Sequence, residues 1–128
     1  GLILSLINER GQRQDGYLRL GDIYGLKLSA DLVVLSACES ALGKDLESEG
    51  IIGLPRAFLF AGARCVIASL WKVDDDATEK FMKGFYARIK RGERPSMALR
   101  DAQIEMSRDP KLSNPFYWAA FVLQGDCK

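Results

Sequence analysis

Cys38 ends a short apolar run, Leu32-Val33-Val34-Leu35-Ser36-Ala37, in a chain that contains no histidine. The run predicts a buried strand that carries a thiol to the carboxyl edge of a sheet, where open α/β sheets place their chemistry. A thiol in that position is suited to nucleophilic attack. At its ordinary pKa of about 8.5, however, it is only a few per cent thiolate at neutral pH, so it needs a base. Histidine is the usual base. Without one, the chain is either not an enzyme or only part of one. Glu39 and Glu47 are too weakly basic to deprotonate a thiol, and Lys44, cationic at neutral pH, suits stabilising a thiolate better than accepting its proton. Reduced cysteine is also among the most buried residue types, so a small apolar filler is the competing reading of Cys38. Cys65, inside Arg64 to Leu70, reads as core, and nothing in the sequence assigns Cys127 a role.

A second group that could do chemistry is the run Asp74-Asp75-Asp76, shortly after Trp71. A helix starting near Asp75 is stabilised by acids in its first turn and can be capped by Asp74. A cap uses one carboxylate. The others follow the strand expected over Cys65 to Leu70, whose end falls beside the Cys38 strand end if successive parallel strands are neighbours. There Asp74 or Asp76 would line a pocket for a basic side chain, with Trp71 as its wall or, equally, as ordinary core. Metal binding lacks ligands, because there is no histidine and the cysteines are scattered. Gly50 and Gly53 match neither a Walker A loop nor a dinucleotide fingerprint, so no cofactor is expected.

The elements that must position these residues alternate. Gly1 to Ile7 predicts a strand and Asn8 to Gly16 a loop, with a helical turn or two over Leu20 to Leu26 and a strand over Leu32 to Ser36. Leu42 to Gly50 reads as a loop over the site. Gly53 to Ala63 predicts a buried helix, because Pro55 belongs in a first turn and Leu54, Ala57, Phe58 and Ala61 recur three and four apart. A strand over Cys65 to Leu70 follows. The amphipathic stripe Ala77, Phe81, Phe85, Ile89 predicts a helix from Asp75 to Arg91, stopped by Gly92. Another helix opens at Pro95 and runs to about Ser107, and Phe116 to Leu123 returns as a strand. The alternation implies βαβ units and an α/β domain with a mostly parallel sheet flanked by helices.

Composition bounds the partners. With 128 residues and 48% hydrophobic content the chain can build one domain's core. Its net charge of +1 gives no overall field toward nucleic acid. No apolar run reaches the roughly 18 residues of a membrane span, and the first segment lacks a signal peptide's basic flank. Three irregularly spaced cysteines argue against a disulfide framework and fit a reducing, cytoplasmic setting. A first residue of Gly1 predicts a fragment of a longer protein.

Four ordered segments carry a family resemblance: LSACES at Leu35 to Ser40, GIIGLPRAFLFAGA at Gly50 to Ala63, SLWKVDDD at Ser69 to Asp76, and YWAAFVLQG at Tyr117 to Gly125. With Asp15 to Tyr24, which resembles the approach to the cysteine strand, they cover nearly the whole chain. Together they resemble the CHAT domain, a caspase-like and separase-like family. The resemblance implies a caspase-like α/β sandwich and a cysteine endopeptidase acting on protein or peptide substrates. It also implies a larger parent of bacterial type, in which the domain follows tetratricopeptide repeats. Cys38 matches the family's nucleophile, and its backbone N–H would be an oxyanion donor. The family's histidine, in a His-Gly pair, would precede Gly1, so the 128-residue piece alone is expected to be inactive. The Trp-x-Val followed by acids is similar to separases, and related peptidases that prefer Arg or Lys use a carboxylate at the pocket base. A non-catalytic interaction module attached to a repeat domain is the alternative. A redox thiol at Cys38 is disfavoured, because no C-x-x-C partner is present to resolve it.

Overall fold

Two aliphatic runs, Leu32-Val33-Val34-Leu35 and Cys65-Val66-Ile67-Ala68, make the centre of the molecule. Each is too short for a stable helix and rich in β-branched side chains. In the computed structural model, which describes residues 2–3, 8–36 and 50–128, these runs are β3 (Leu32–Leu35) and β4 (Cys65–Ser69). They follow a short antiparallel pair, β1 (Leu2–Ile3) with β2 (Tyr17–Leu18), and a single helical stretch, α1 (Leu20–Tyr24). β3 and β4 pair in parallel from Leu32↔Cys65 to Leu35↔Ala68. Between them lies α2 (Gly50–Phe60), the crossover helix that a parallel pair requires.

α2 begins three residues before the expected start at Gly53, so Pro55 is its sixth residue and is fully buried. Proline there removes one i→i−4 hydrogen bond. Burial of Leu54, Ala57 and Phe58 against Ile23 and Val66 offsets that loss. The helix ends where Gly62 adopts φ +114° and the Leu28 N–H bonds the Ala61 carbonyl at 2.7 Å.

After β4 come α3 (Asp75–Lys90) and α4 (Pro95–Arg108), packed as a hairpin. Gly92 at φ +87° follows the end of α3, and Pro95 opens α4 in the first turn, where its missing N–H costs nothing. Of the expected stripe, Ala77, Phe81 and Phe85 are buried and Ile89 is half-buried against the same core, which Ala98, Leu99, Ala102 and Met106 complete from α4. Arg88 of α3 joins Glu105 of α4 at 2.8 Å, and Lys80 pairs with Asp109 just past α4.

The returning strand differs from expectation in extent and direction. Pro115–Tyr117 form a 3₁₀ turn, and β5 (Phe121–Gly125) runs antiparallel to β4 from Ser69↔Phe121 to Cys65↔Gly125. The cause is the connection. One crossover helix returns the chain to the end where the previous strand began, whereas the α3–α4 hairpin returns it to the end that β4 has just left. The three-stranded sheet, in order β3-β4-β5, is therefore mixed within an α/β fold.

β4 is the shared wall of two cores. Val66 faces α1 and α2, whereas Ile67 faces α3, α4 and Phe121, as alternation along a strand requires. Among the described residues, no helix is long and apolar enough to cross a membrane.

One covalent feature departs from the sequence reading. Cys65 and Cys127 form a disulfide with 5.0 Å between their Cα atoms. Their sequence separation of 62 hides this proximity. It follows from the β4–β5 register, which sets Gly125 opposite Cys65 and so returns the tail to the start of β4.

Candidate active site

The parallel register carries the ends of β3 and β4 to the same edge. Leu35 pairs with Ala68, so Ser36, just past β3, and Ser69, the last residue of β4, come side by side at this edge. Beyond Ser69 the chain passes through Leu70, Trp71, Lys72 and Val73 into the amino-terminal end of α3. Between these pieces lies a cavity of about 30 Å³, lined by Ser36, Ser69, Lys72, Asp75, Thr78 and Phe121. Three hydroxyls, a carboxylate and an ammonium around such a volume suit one water molecule, which needs two to four polar partners. The space is too small for a lysyl or arginyl side chain.

Asp74 is the N-cap of α3. Its backbone is non-helical, at φ −51° and ψ 139°, and its Oδ2 accepts the Ala77 N–H at 3.1 Å. Asp75 and Asp76 occupy the first turn, where the helix dipole favours negative charge. All three acids are exposed. Asp75 faces the cavity, whereas Asp74 and Asp76 do not line it.

Trp71 is half-buried against the α3–α4 core. Its indole Nε1–H donates to the Phe116 carbonyl at 2.9 Å, and its ring stacks on Phe116 with centroids 6.4 Å apart. The hydrogen-bond partner that a buried indole needs is thus supplied by the 3₁₀ turn. Leu70 N–H donates to Ala120 at 2.8 Å and fixes the same segment to the strand end.

Cys38 lies outside the described residues, as do Glu39, Lys44 and Glu47. The structure thus brings together Ser36, Ser69, Asp75 and Thr78, a set the sequence reading did not single out. The signal for the two serines was present: each directly follows an apolar strand run, as VVLS and as VIAS. For Asp75 and Thr78 it was the helical spacing of three, which puts both on one face of α3. Among the described residues, no group of three or more His, Cys, Asp or Glu side chains is arranged to hold a metal ion.

The family model described as the CHAT domain matches residues 1–126. The chain is a CHAT domain. Its match takes in the cysteine-bearing run, α2, the segment from Ser69 into α3, and β5. Similar proteins include mouse tetratricopeptide repeat protein 28, 38% identical over 108 residues, and human tetratricopeptide repeat protein 28, 38% identical over 112 residues. These alignments cover 84% and 88% of this CHAT domain but only 4% of either relative's length. Neither relative is bacterial.

Proposed function

We propose that this CHAT domain is the cysteine-bearing part of a caspase-like peptidase. In this reading the Cys38 thiolate attacks a peptide carbonyl, a histidine from polypeptide outside these 128 residues takes the thiol proton and returns it to the leaving amine, and the Cys38 N–H steadies the oxyanion. The observation that carries the proposal is the shared exit of β3 and β4 at the acid-rich start of α3. In the sequence Cys38 follows Ser36 by two residues, just after the strand that ends at this edge.

The 30 Å³ cavity has room for no more than a water, so a basic substrate side chain would meet Asp74, Asp75 and Asp76 at the surface, with Trp71 alongside. Among the described residues β3 pairs only with β4, and in this reading a strand bearing the histidine would pair along its other edge. The names of the two mammalian relatives support a tetratricopeptide-repeat domain in the same polypeptide, which would be cytoplasmic.

The test is a protein extended upstream through a His-Gly pair, assayed with peptide substrates and an electrophilic peptide probe. Thiol-dependent cleavage after Arg or Lys is expected, lost in Cys38→Ala, with the 128-residue chain inactive alone. Failure of the extended protein to label at Cys38 would overturn the peptidase reading.

A second reading has its own observation. Tyr24 and Phe60, with ring centroids 5.3 Å apart, are 41% and 74% exposed on the α1–α2 face. An exposed aromatic pair suits protein docking, and so supports an interaction module joined to the repeat domain. Labelling that fails while Phe60→Ala weakens repeat-domain binding would favour this reading.

A further inference from the structure

The sheet edge opposite the candidate active site carries the Cys65–Cys127 bond, and the surrounding backbone is arranged to make it without the bond's help. Gly125 pairs with Cys65 at φ +99°, and a Cβ there would stand 2.4 Å from the Arg64 carbonyl oxygen and 2.6 Å from Leu59 Cδ2. Only glycine fits that turn. The next residue, Asp126, donates its N–H to the Arg64 carbonyl at 2.8 Å, and Arg64 in turn donates to Ala30 at 3.0 Å. Main-chain bonds therefore bring residue 127 back over residue 65. Five paired residues of β5 and the burial of Phe121 hold the strand independently of sulfur. A cleft of about 240 Å³, lined by Asp31, Arg64, Cys65, Asp126 and Lys128, opens beside the pair. It is wide enough for a small dithiol or a hydroperoxide, although Cys65 itself is only 1% exposed.

We infer that Cys65 and Cys127 are a reversible redox pair, opened by dithiols and closed by hydroperoxides within the folded domain. In opening, a reductant thiolate attacks Cys127 Sγ, the less buried sulfur. The Cys65 thiolate leaves and takes up a proton. The reductant's second thiol then displaces Cys127 from the mixed disulfide, so the reductant is oxidised by two electrons and the protein gains two thiols. In closing, the Cys127 thiolate attacks the hydroperoxide's terminal oxygen and the O–O bond breaks, giving an alcohol, or water from hydrogen peroxide, and a sulfenic acid. Cys65 attacks that sulfur, forms the disulfide and expels water. The open form frees only the tail beyond β5. The closed form joins residues 62 apart and so restricts the unfolded chain around β4, α3, α4 and β5.

The 128-residue chain with Cys38→Ser leaves two cysteines to follow. Dithiothreitol without denaturant is expected to yield two alkylatable thiols, an unchanged circular dichroism spectrum and a Tm lower by several degrees. After the reductant is removed, one equivalent of hydrogen peroxide should erase both thiols and restore the Tm. Cys127→Ser should be folded, melt like the reduced protein and ignore dithiothreitol, and Gly125→Ala should slow closure. Reduction that proceeds only with global unfolding, peroxide that gives a sulfinic acid without the cross-link, or a Cys127→Ser chain that does not fold would each assign a static bond and overturn the inference.

Discussion

At the scale of single residues, Asp74 is the sharpest case, because its carboxylate caps α3 and is also proposed to meet basic substrates. As N-cap it satisfies the Ala77 N–H, so Asp74→Ala is expected to cost about 1 kcal/mol in urea unfolding. Asp74→Ser keeps a capping oxygen and removes the charge. It should unfold close to the parent, and if the acid also recognises basic substrates, their kcat/KM alone should fall. Asp109 gives a pH prediction. Its carboxyl is held below its ordinary 3.8 first by the hydrogen bond from Lys80, then by that from the Lys111 N–H. The folded form therefore releases this proton more readily than the unfolded chain. The resulting stabilisation is present in full above 3.8 and is lost as pH falls through the lower folded value. Asp109→Asn should lower the Tm near neutrality and flatten its decline at the acid end. A Tm that falls with acid as steeply as the parent's would contradict this.

At the scale of elements, legibility tracked how local the determining physics was. α3 and α4 were readable because a four-residue apolar stripe, a capping acid and Pro95 all act within a turn or two. β3 and β4 were readable as compact aliphatic runs. The start of α2 is not legible in the sequence because Pro55 locally signals a first turn, whereas burial of the helix's apolar face carries it through the proline. The direction of β5 and the Cys65–Cys127 bond were hidden because both depend on where a helical hairpin returns the chain. The site divided in the same way. The acids were visible as a run, but that Asp75 rather than its neighbours faces Ser36 and Ser69 is set by the placement of α3 against the sheet. Gly62 tests the junction that sets this geometry on the α2 side. A Cβ there would lie 2.2 Å from the Leu28 carbonyl oxygen, on a backbone at φ +114°. Both terms oppose Gly62→Ala, so a loss of about 1 kcal/mol or more is expected in chemical denaturation. An unchanged midpoint would mean that the α2–β4 turn is not the constraint described.

At the scale of the whole molecule, the question is whether two cores make two folding units. Phe81, Phe85, Leu99 and Met106 fill the layer on one side of the sheet, and Ile23, Leu54, Ala57 and Phe58 fill the other. Neither layer owns its wall. Val66 and Ile67 are consecutive residues of β4, both fully buried, and each closes a different core. Stripping either layer exposes one face of β4 and leaves its ladder bonds to β3 and β5 without the burial that supports them. The two cores should therefore melt together. Phe81→Ala removes a ring stacked on Phe121 at a centroid distance of 4.1 Å and is expected to cost about 3–5 kcal/mol. Leu54→Ala, on the opposite side, should cost about 2–5 kcal/mol. Both should shift one cooperative transition, with Trp fluorescence, which reports the α3–α4 side through Trp71 and Trp118, coinciding with backbone circular dichroism. If Leu54→Ala instead split the melt, so that the tryptophans kept their native signal while part of the backbone unfolded, β4 would not couple the layers. The candidate-site edge, built from the ends of the two strands of the β3–α2–β4 crossover, would then lose its rigid support on the Ser36 side alone.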